Sequence, residues 1–230
     1  HLCCRVRDRQ GGATHRRATF PVLGARERTS AMPGVLLERV GRVAKITLND
    51  PDKLNAMSAS ITEDFGRIVA QLCEDPSDLG AVVITGAGRA FSAGGDLTWL
   101  KRRSTDTPSR NSEIMNEFYG KFLCVRKLPL PVIAAINGPA IGAGLCFAMA
   151  CDVRVVSAEA KLGFTFVGLG LHPGMGATHL VASVAGYETA YRLLLTGDVV
   201  SGEEACRLRL ASQLAPDGAS SVDAAMELAV

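Results

Sequence analysis

The sequence has little net charge and few aromatic residues: its 230 residues carry a formal charge of +2 at pH 7, and Phe, Trp and Tyr make up 5% of them. Proteins that bind nucleic acid need a strongly basic surface, and proteins that bind membrane surfaces need a polybasic segment beside an amphipathic helix. The sequence has neither pattern. We therefore expect no nucleic-acid or membrane-surface partner, and we favour small-molecule chemistry as the class of function.

Paired cysteine motifs are also missing. The seven cysteines are odd in number and scattered, and none forms a C-x-x-C motif with a matching partner. The sequence therefore predicts neither a disulfide framework nor a metal site, and it favours a reducing compartment. Free cysteines are commonly buried. We interpret five of them as buried thiols: Cys73, Cys124, Cys146, Cys151 and Cys206.

The sequence has no uninterrupted apolar helix of membrane-spanning length. Residues 128–151 carry no charge, but Pro129, Pro131, Pro139 and the Asn137-Gly138 pair interrupt them. A spanning helix would lose backbone hydrogen bonds at these positions, whereas a strand, a turn and a short buried helix would not. We therefore expect no membrane span.

Acidic residues are scarce in residues 1–31, where seven arginines stand against Asp8 and Glu27. An Arg-rich, acid-poor leader resembles an organelle transit peptide, which would make the protein mitochondrial. The chain begins with His1, and Met32 is an alternative start, so a disordered extension of a cytoplasmic protein is the other interpretation. We expect residues 1–31 to be a disordered or targeting leader and residues 32–230 to form the folded domain.

The sequence contains two prominent glycine-rich segments. The first glycine turn, residues 91–97 (Phe-Ser-Ala-Gly-Gly-Asp-Leu), and the second glycine turn, residues 137–144 (Asn-Gly-Pro-Ala-Ile-Gly-Ala-Gly), each follow an apolar, strand-like run. Each also opens a helix-like segment. Backbone N–H groups at such turns can converge on one developing negative charge, as an oxyanion hole requires.

Apolar periodicity predicts alternating strands and helices, and hence an α/β fold. Gly41-Arg42 is a predicted hairpin turn, and Ser60-x-x-Glu63 is a capping box that predicts a helix start. Residues 102–111 have the composition of a surface loop, and the pattern beyond Pro173 is helical. The predicted strands are residues 35–40, 43–48, 81–85, 131–136, 153–156 and 161–164.

Five motifs occur in order along the chain: residues 51–57 (PDKLNAM), 90–97 (AFSAGGDL), 131–138 (PVIAAING), 151–154 (CDVR) and 173–176 (PGMG). Over residues 34–230 they closely resemble the enoyl-CoA hydratase/isomerase family, also called the crotonase family. The resemblance implies a crotonase-like spiral of β-β-α units with a helical C-terminal region, assembled as a homotrimer or hexamer. It also implies an acyl-CoA thioester as substrate. Coenzyme A would then be part of the substrate, with no permanently bound cofactor.

The resemblance also implies which residues form the site. The backbone amides of Gly95 and Ala143 would hold the thioester oxygen, and the helix that begins near Gly142 would add a positive dipole end. Small residues suit this role because they let the thioester approach the backbone. The alternative for Lys53 is an exposed loop lysine. The residues implied to cradle coenzyme A are Lys53, Leu54, Ala56, Ala93, Asp96 and Leu97.

The sequence departs from the family at two positions where its hydratases carry glutamates. The matching residues are Cys146 and Phe166. A positioned general acid or base contributes about 10² to 10⁴ in rate, so we expect a poor hydratase. Cys146 and His172 are candidate replacements, although Cys146 could simply pack in an apolar helix and His172 could be hydrogen-bonded in a turn. Glu113 and Glu117 are interpreted as a solvated helix face.

Two further departures concern the C-terminal region. Arg209 stands where the family usually has a glycine that ends a helix, so we expect a rearranged bend there. The chain also has about two helices fewer than the resemblance implies. We therefore expect incomplete C-terminal helices, which affects both the oligomer and the closure of the acyl pocket.

The leading hypothesis is an acyl-CoA-processing enzyme of fatty-acid or related metabolism that stabilises a thioester enolate and acts as an isomerase, decarboxylase or other non-hydratase. The alternative is a catalytically silent acyl-CoA-binding protein or regulatory subunit. A dinucleotide site at Gly86-Ala87-Gly88 is disfavoured, because Phe91 replaces the third glycine and no acidic residue closes a second strand.

Overall fold

The computed structural model describes residues 26–31, 34–76, 78–103 and 105–230, and these residues form an α/β fold. The α/β class predicted from the sequence is confirmed. Within these ranges the strands are β1 (Arg26–Ala31), β2 (Val35–Val40), β3 (Val43–Leu48), β4 (Ala81–Gly86), β5 (Val132–Ile136), β6 (Ala140–Ile141), β7 (Val153–Val156), β8 (Lys161–Gly163), β9 (Val199–Ser201) and β10 (Gln213–Leu214). The α-helices are α1 (Ala59–Glu74), α2 (Leu97–Arg103), α3 (Pro108–Leu123), α4 (Ala143–Ala150), α5 (Ala177–Ala185), α6 (Tyr187–Thr196), α7 (Gly202–Arg207) and α8 (Ser221–Leu228).

The sheet topology brings the two glycine turns together. Among the described residues the main sheet has the strand order β1-β2-β3-β4-β5-β7-β10, and β6, β8 and β9 form a small second sheet. The main sheet is antiparallel from β1 to β3 and parallel from β3 onward. Parallel strands end at the same edge of a sheet, which is where ligands commonly bind in α/β proteins. The glycine turns that follow the neighbouring strands β4 and β5 therefore emerge side by side.

The central strands are buried on both faces. Val82 and Ile84 of β4 belong to the main core, which includes side chains of α1 and α4. Val83, between them, belongs to a second core that includes Ala225 and Met226 of α8. Helices on both faces explain why β4 is a continuous apolar run and not an alternating one.

The predicted hairpin of β2 and β3 is confirmed. Val40 pairs with Val43 across the Gly41-Arg42 turn. Gly41 has a φ of 58°, a left-handed conformation that two-residue hairpin turns require. The signal for this turn lies within the segment itself, which is why the predicted and observed bounds agree.

The apolar segment of residues 128–151 divides into short elements, as predicted. It contains β5, β6 and the eight-residue helix α4, which is buried throughout. Within the described ranges, no helix combines the length and the apolar character that crossing a membrane would need.

Two helix starts differ from the prediction. Helix α1 begins earlier than the Ser60 capping box implied, because the hydroxyl oxygen of Ser58 accepts the hydrogen bond from the amide of Ile61. Helix α3 begins at Pro108, inside the segment predicted as a loop. Thr107 caps this helix and proline pre-forms its first turn. The connection between α2 and α3 is therefore shorter than predicted.

The structure also differs from the predicted leader boundary at residue 31. Strand β1 pairs antiparallel with β2 at the edge of the main sheet, with Arg26 opposite Val40 and Ala31 opposite Leu36. An edge strand offers unpaired backbone groups, so a segment without an apolar pattern can pair with it. Residues 1–25 lie outside the described residues, and the transit-peptide interpretation stays a prediction.

The bend at Arg209 is retained and not rearranged, so that expectation is wrong. Arg209 has a φ of 61°, and its amide donates to the carbonyl of Cys206 over 3.0 Å. The next amide, of Leu210, donates to Ala205 over 2.8 Å, which carries the Leu210 side chain into the core. The turn that glycine would form is thus made by an arginine in a strained conformation.

Arg209→Gly is expected to raise the free energy of unfolding by about 0.5–1 kcal/mol. The left-handed conformation costs a non-glycine residue about 1–2 kcal/mol, and the greater freedom of glycine in the unfolded chain offsets part of the gain. Urea denaturation measures the change. The matched control is Arg207→Gly within α7, which should destabilise the protein by about 1 kcal/mol. A loss of stability in both variants would contradict the assigned strain.

Candidate active site

Backbone hydrogen bonds join the two glycine turns. The amide of Ile141 donates to the carbonyl of Ser92 over 3.0 Å. The amides of Phe91 and Ser92 both donate to the carbonyl of Pro139, over 3.0 and 3.1 Å. Ser92 and Ala140 thereby form a short parallel bridge. The two turns are one connected unit of backbone.

The buried side chain of Asn55 holds the approach to the first turn. Its Nδ2 donates to the carbonyls of Ala87, over 2.9 Å, and Ala90, over 2.8 Å. Its Oδ1 accepts from the amide of Asp50 over 2.9 Å. Asn137 donates two more hydrogen bonds to the same loop from the other side. Buried amides with this many partners are costly to remove, because each partner is left unsatisfied.

Glycine is required where the two turns touch. Gly94 has a φ of 86°, and a Cβ there would overlap the carbonyl oxygen of Ile141 and lie 3.2 Å from the nitrogen of Ala143. A Cβ on Gly144 would lie 2.5 Å from the carbonyl oxygen of Ser92. The first glycine turn therefore lies directly against the N-terminal end of α4.

The amides of Gly95 and Ala143 are left without partners by this arrangement. Neither donates a hydrogen bond to any residue that the structure describes. Ala143 is the first residue of α4, where helical amides lack a partner within the helix and the helix dipole is positive. Both residues line the same cavity. The site thus offers unpaired N–H donors of the kind that bind an oxyanion.

The cavity has a volume of about 930 Å³, within the range of small-molecule sites. Much of its lining is apolar, including Leu100 and Met115 near α2 and α3. It includes neither Leu54 nor Cys146. The predicted site residues that line it are Lys53, Ala56, Ala93, Gly95, Asp96, Leu97, Ala143 and His172.

The two charged residues of the predicted coenzyme A cradle have different surroundings. Lys53 is exposed and has no ion-pair partner among the residues described. The Oδ1 of Asp96 accepts from the amides of Thr98, over 2.7 Å, and Trp99, over 2.9 Å. Among the described residues that line the cavity, Asp96 is the only acidic one, and its carboxylate already caps α2.

Leu54 supports the first glycine turn through its backbone. Its carbonyl accepts from the amide of Ala93 over 2.9 Å, and the amide of Met57 donates to the carbonyl of Gly94 over 2.8 Å. Leu54 itself has a left-handed φ of 52°. The structure therefore places Leu54 behind the turn, outside the cavity lining, while Ala56 lies in the lining.

Cys146 is placed for packing and not for nucleophilic attack. It is fully buried in α4, and burial raises the pKa of its thiol well above the ordinary value. The sequence left Cys146 open as either a replacement for a glutamate or a packing residue in an apolar helix. Desolvation raises this pKa because burial disfavours the charged thiolate. Of these two interpretations, burial supports the packing residue.

The other cysteines of the predicted buried set differ among themselves. Cys151 is buried, whereas Cys73, Cys124 and Cys206 are only partly buried, and all are free thiols. Burial raises the pKa of Cys124 to about 11 and that of Cys151 to about 12. Full burial was therefore predicted correctly for two of the five.

His172 and Phe166 line the cavity from the segment after β8. His172 is exposed, and its side chain makes no hydrogen bond with the part of the chain that the structure describes. The alternative of a hydrogen-bonded turn histidine is therefore not seen. Phe166 is half-buried, and its Cζ lies 4.0 Å from the position that a Cβ on Gly142 would take. Phe166 presents a hydrocarbon surface where the resemblance places a glutamate.

The acidic residues of α3 lie outside the cavity. Glu113 pairs with Arg110 over 3.6 Å, and Glu117 pairs with Lys121 over 2.9 Å. Both glutamates are exposed, which confirms the predicted solvated face. Over the described ranges, no three His, Cys, Asp or Glu side chains are grouped as metal ligands.

Tyr119 is a cavity residue that the sequence did not single out. Its hydroxyl lies against Gly174, where a Cβ would overlap it. Burial raises the pKa of Tyr119 above its ordinary value, and the nearby backbone of Met175 opposes the shift. In the sequence, Tyr119 shows only helical spacing with apolar neighbours such as Met115 and Phe122, a pattern typical of packing.

Comparisons with known proteins agree with one another. A family model described as enoyl-CoA hydratase/isomerase matches residues 38–230. A Mycobacterium tuberculosis protein named probable enoyl-CoA hydratase is 42% identical over 195 residues, which cover 85% of this chain and 73% of that relative. The short-chain-enoyl-CoA hydratase of Clostridium acetobutylicum is 34% identical over 181 residues, covering 78% of this chain and 68% of that relative.

A solved structure shows the same fold. The crystal structure of an enoyl-CoA hydratase from Bacillus anthracis matches with a TM-score of 0.77 at 32% identity, and the match covers 85% of this chain and 75% of that one. The crotonase-like fold implied by the sequence motifs is therefore confirmed.

Cys146 is expected to resist alkylation by iodoacetamide at pH 8 in the native protein. Its raised pKa keeps the thiol protonated below that pKa, and burial excludes the reagent. Peptide mass spectrometry of native and urea-denatured samples measures the modification, with the denatured sample as the reference. Rapid labelling of Cys146 in the folded protein would show that the thiol is accessible and contradict the packing assignment.

Proposed function

The chain belongs to the enoyl-CoA hydratase/isomerase family, and we propose that it processes an acyl-CoA thioester through an enolate held by the amides of Gly95 and Ala143. One observation carries the proposal: both amides lack partners in the described chain and both residues line one cavity. A thioester oxygen gains negative charge as the α-carbon becomes carbanionic, so these donors bind more strongly in the transition state than in the ground state. Each such donor contributes about 10² to 10³ in rate.

The cavity offers different surroundings to the two ends of an acyl-CoA. Lys53 is exposed and suited to a coenzyme A phosphate. Ala56 and Ala93 are small and let a chain lie close to the backbone. Leu100 and Met115 provide hydrocarbon contacts. The coenzyme A portion therefore belongs at the Lys53 end and the acyl group beside α2 and α3.

The same cavity is poorly equipped to hydrate a double bond. Adding water requires a base for the water proton and an acid for the α-carbon. Asp96 is engaged as a helix cap, the Cys146 thiol is buried with a raised pKa, and Phe166 has no ionisable group. Slow hydration of a 2-enoyl-CoA is the consequence.

Decarboxylation of a 2-carboxyacyl-CoA fits this cavity better than hydration. The bond between the α-carbon and the carboxylate breaks, its electron pair enters the enolate, and CO₂ leaves. This step requires no base. The enolate then takes one proton at the α-carbon and becomes a saturated acyl-CoA. The protein has to supply only the oxyanion donors and one proton source.

Ala143→Pro is expected to lower turnover of methylmalonyl-CoA by about 10² to 10³, because it removes one of the two amide donors. Proline is favoured at the first position of a helix, where its missing N–H has no partner, so α4 should still form. Ala59→Pro, at the first position of α1 and outside the cavity, is the matched control. Initial rates measure the effect. Equal rates for both variants would rule out the Ala143 amide as a donor.

Methylmalonyl-CoA and crotonyl-CoA distinguish decarboxylation from hydration. We expect the protein to form CO₂ and propionyl-CoA from the first and to hydrate the second at a rate lower by at least about 10², because it lacks the acid/base pair. Chromatography with mass detection of the thioesters measures both products. Steady hydration without CO₂ release would contradict the proposal. Binding of both thioesters without any product would favour the silent acyl-CoA binder.

A further inference from the structure

The enolate left by decarboxylation must gain a proton at its α-carbon. Under the proposed function, on which this assignment rests, the donor has to line the cavity and be protonated at neutral pH. It also has to sit where a protein group stabilises the charge that remains on it. These three requirements are met together by the hydroxyl of Tyr119.

The position of Tyr119 relates it to the oxyanion donors. Tyr119 of α3 lies near Cys146 of α4. Cys146 comes three residues after Ala143, on the same face of α4, because residues three apart are neighbours on a helix surface. Tyr119 and Ala143 also line the same cavity. Tyr119 therefore lies near the residue that the resemblance matches to a hydratase glutamate.

The other protonated groups of the lining are less suited to this transfer. The guanidinium of Arg103 is paired with Asp106 over 2.8 Å and lies over the ring of Trp99. Lys53 is exposed and belongs to the proposed coenzyme A end. His172 is also exposed, with no partner among the described residues to orient its ring. His172 is accordingly the competing donor that an experiment must separate from Tyr119.

We infer that Tyr119 is the acid that protonates the α-carbon of the enolate, which gives the product a defined configuration. The phenolic O–H bond breaks, a C–H bond forms at the α-carbon, and the enolate electrons return to the thioester carbonyl. The backbone of Met175 lies near the phenolate oxygen and favours the charged form. It then recovers a proton from solvent, so the net reaction consumes one proton and releases one CO₂.

The surroundings of the hydroxyl fit an acid better than a base. Burial raises the pKa of Tyr119, so the group is protonated at neutral pH. An ester enolate is a far stronger base than a phenolate, so transfer to carbon is downhill. A phenol in this environment would be a poor base for taking a proton from water, which agrees with the slow hydration proposed above.

Gly174 positions the hydroxyl, because any side chain at residue 174 would overlap it. Gly174 is not in the left-handed region, so alanine is compatible with its backbone. Gly174→Ala therefore displaces the Tyr119 hydroxyl while leaving the tyrosine in the chain. Gly120→Ala is the matched control, since Gly120 is exposed on α3 and a Cβ there meets nothing within 4 Å.

The test is decarboxylation of methylmalonyl-CoA in D₂O, with CO₂ release, KM and the configuration of the α-deuterated propionyl-CoA as readouts. We expect Tyr119→Phe to lower kcat by about 10² with KM within about twofold, and to give deuterium in both configurations. Gly174→Ala should change kcat and configuration in the same direction. Gly120→Ala and Tyr191→Phe, which alters a 64% exposed tyrosine, should behave as wild type.

Each outcome decides between the assignments. Retained kcat and a single configuration in both Tyr119→Phe and Gly174→Ala would overturn the role of Tyr119. Loss of configuration in His172→Gln alone would assign the proton to His172 instead. If the wild-type protein releases no CO₂, the proposed decarboxylation fails before any variant is compared, and the assignment to Tyr119 fails with it. If Tyr119→Phe does not fold, Gly174→Ala against Gly120→Ala decides alone.

Discussion

The hydrogen bonds between the two glycine turns are the constraint on which the site depends. Strands β4 and β5 are parallel neighbours, so the turns that follow them emerge together. The bond from the Ile141 amide to the Ser92 carbonyl then fixes their separation, and Gly94 and Gly144 permit the contact because they carry no side chain. Helix α4 consequently begins against the first turn with its leading amide unpaired. The donors are oriented by folding and not by the ligand, which is the condition under which such donors lower a barrier most.

The chemistry of the cavity follows from the side chains that surround the two glycine turns. Desolvation keeps the Cys146 thiol protonated, and Phe166 presents a hydrocarbon surface. The carboxylate of Asp96 already accepts hydrogen bonds as the cap of α2. Under the proposed function, charge stabilisation is therefore strong while proton abstraction is weak. A reaction that generates its own enolate suits this balance, and Tyr119 supplies the one proton that such a reaction still needs. The family fold is retained, and under the proposed function it supports the enolate step without a hydratase acid/base pair.

Local signals in the sequence predicted the elements that are determined locally. The β2–β3 hairpin and α4 agree with prediction because the glycine turn and the apolar runs lie within each segment. Strands β6, β9 and β10 have two or three residues and depend on a neighbouring strand, so no periodicity could reveal them. In the site, the glycine turns indicated converging backbone N–H groups, and the family resemblance assigned them to Gly95 and Ala143. Tyr119 and Asn55 were missed, since their partners lie far along the chain and tertiary packing alone brings them together.

The central claim is that two backbone amides polarise a thioester carbonyl. The most direct test is the isotope-edited infrared difference spectrum of bound butyryl-CoA, labelled with ¹³C at the thioester carbonyl. Hydrogen bonds from both amides weaken the C=O bond and lower its stretching frequency. We predict a bound carbonyl band at a clearly lower frequency than that of the same thioester in water. A bound thioester whose band stays at its solution frequency would contradict the claim.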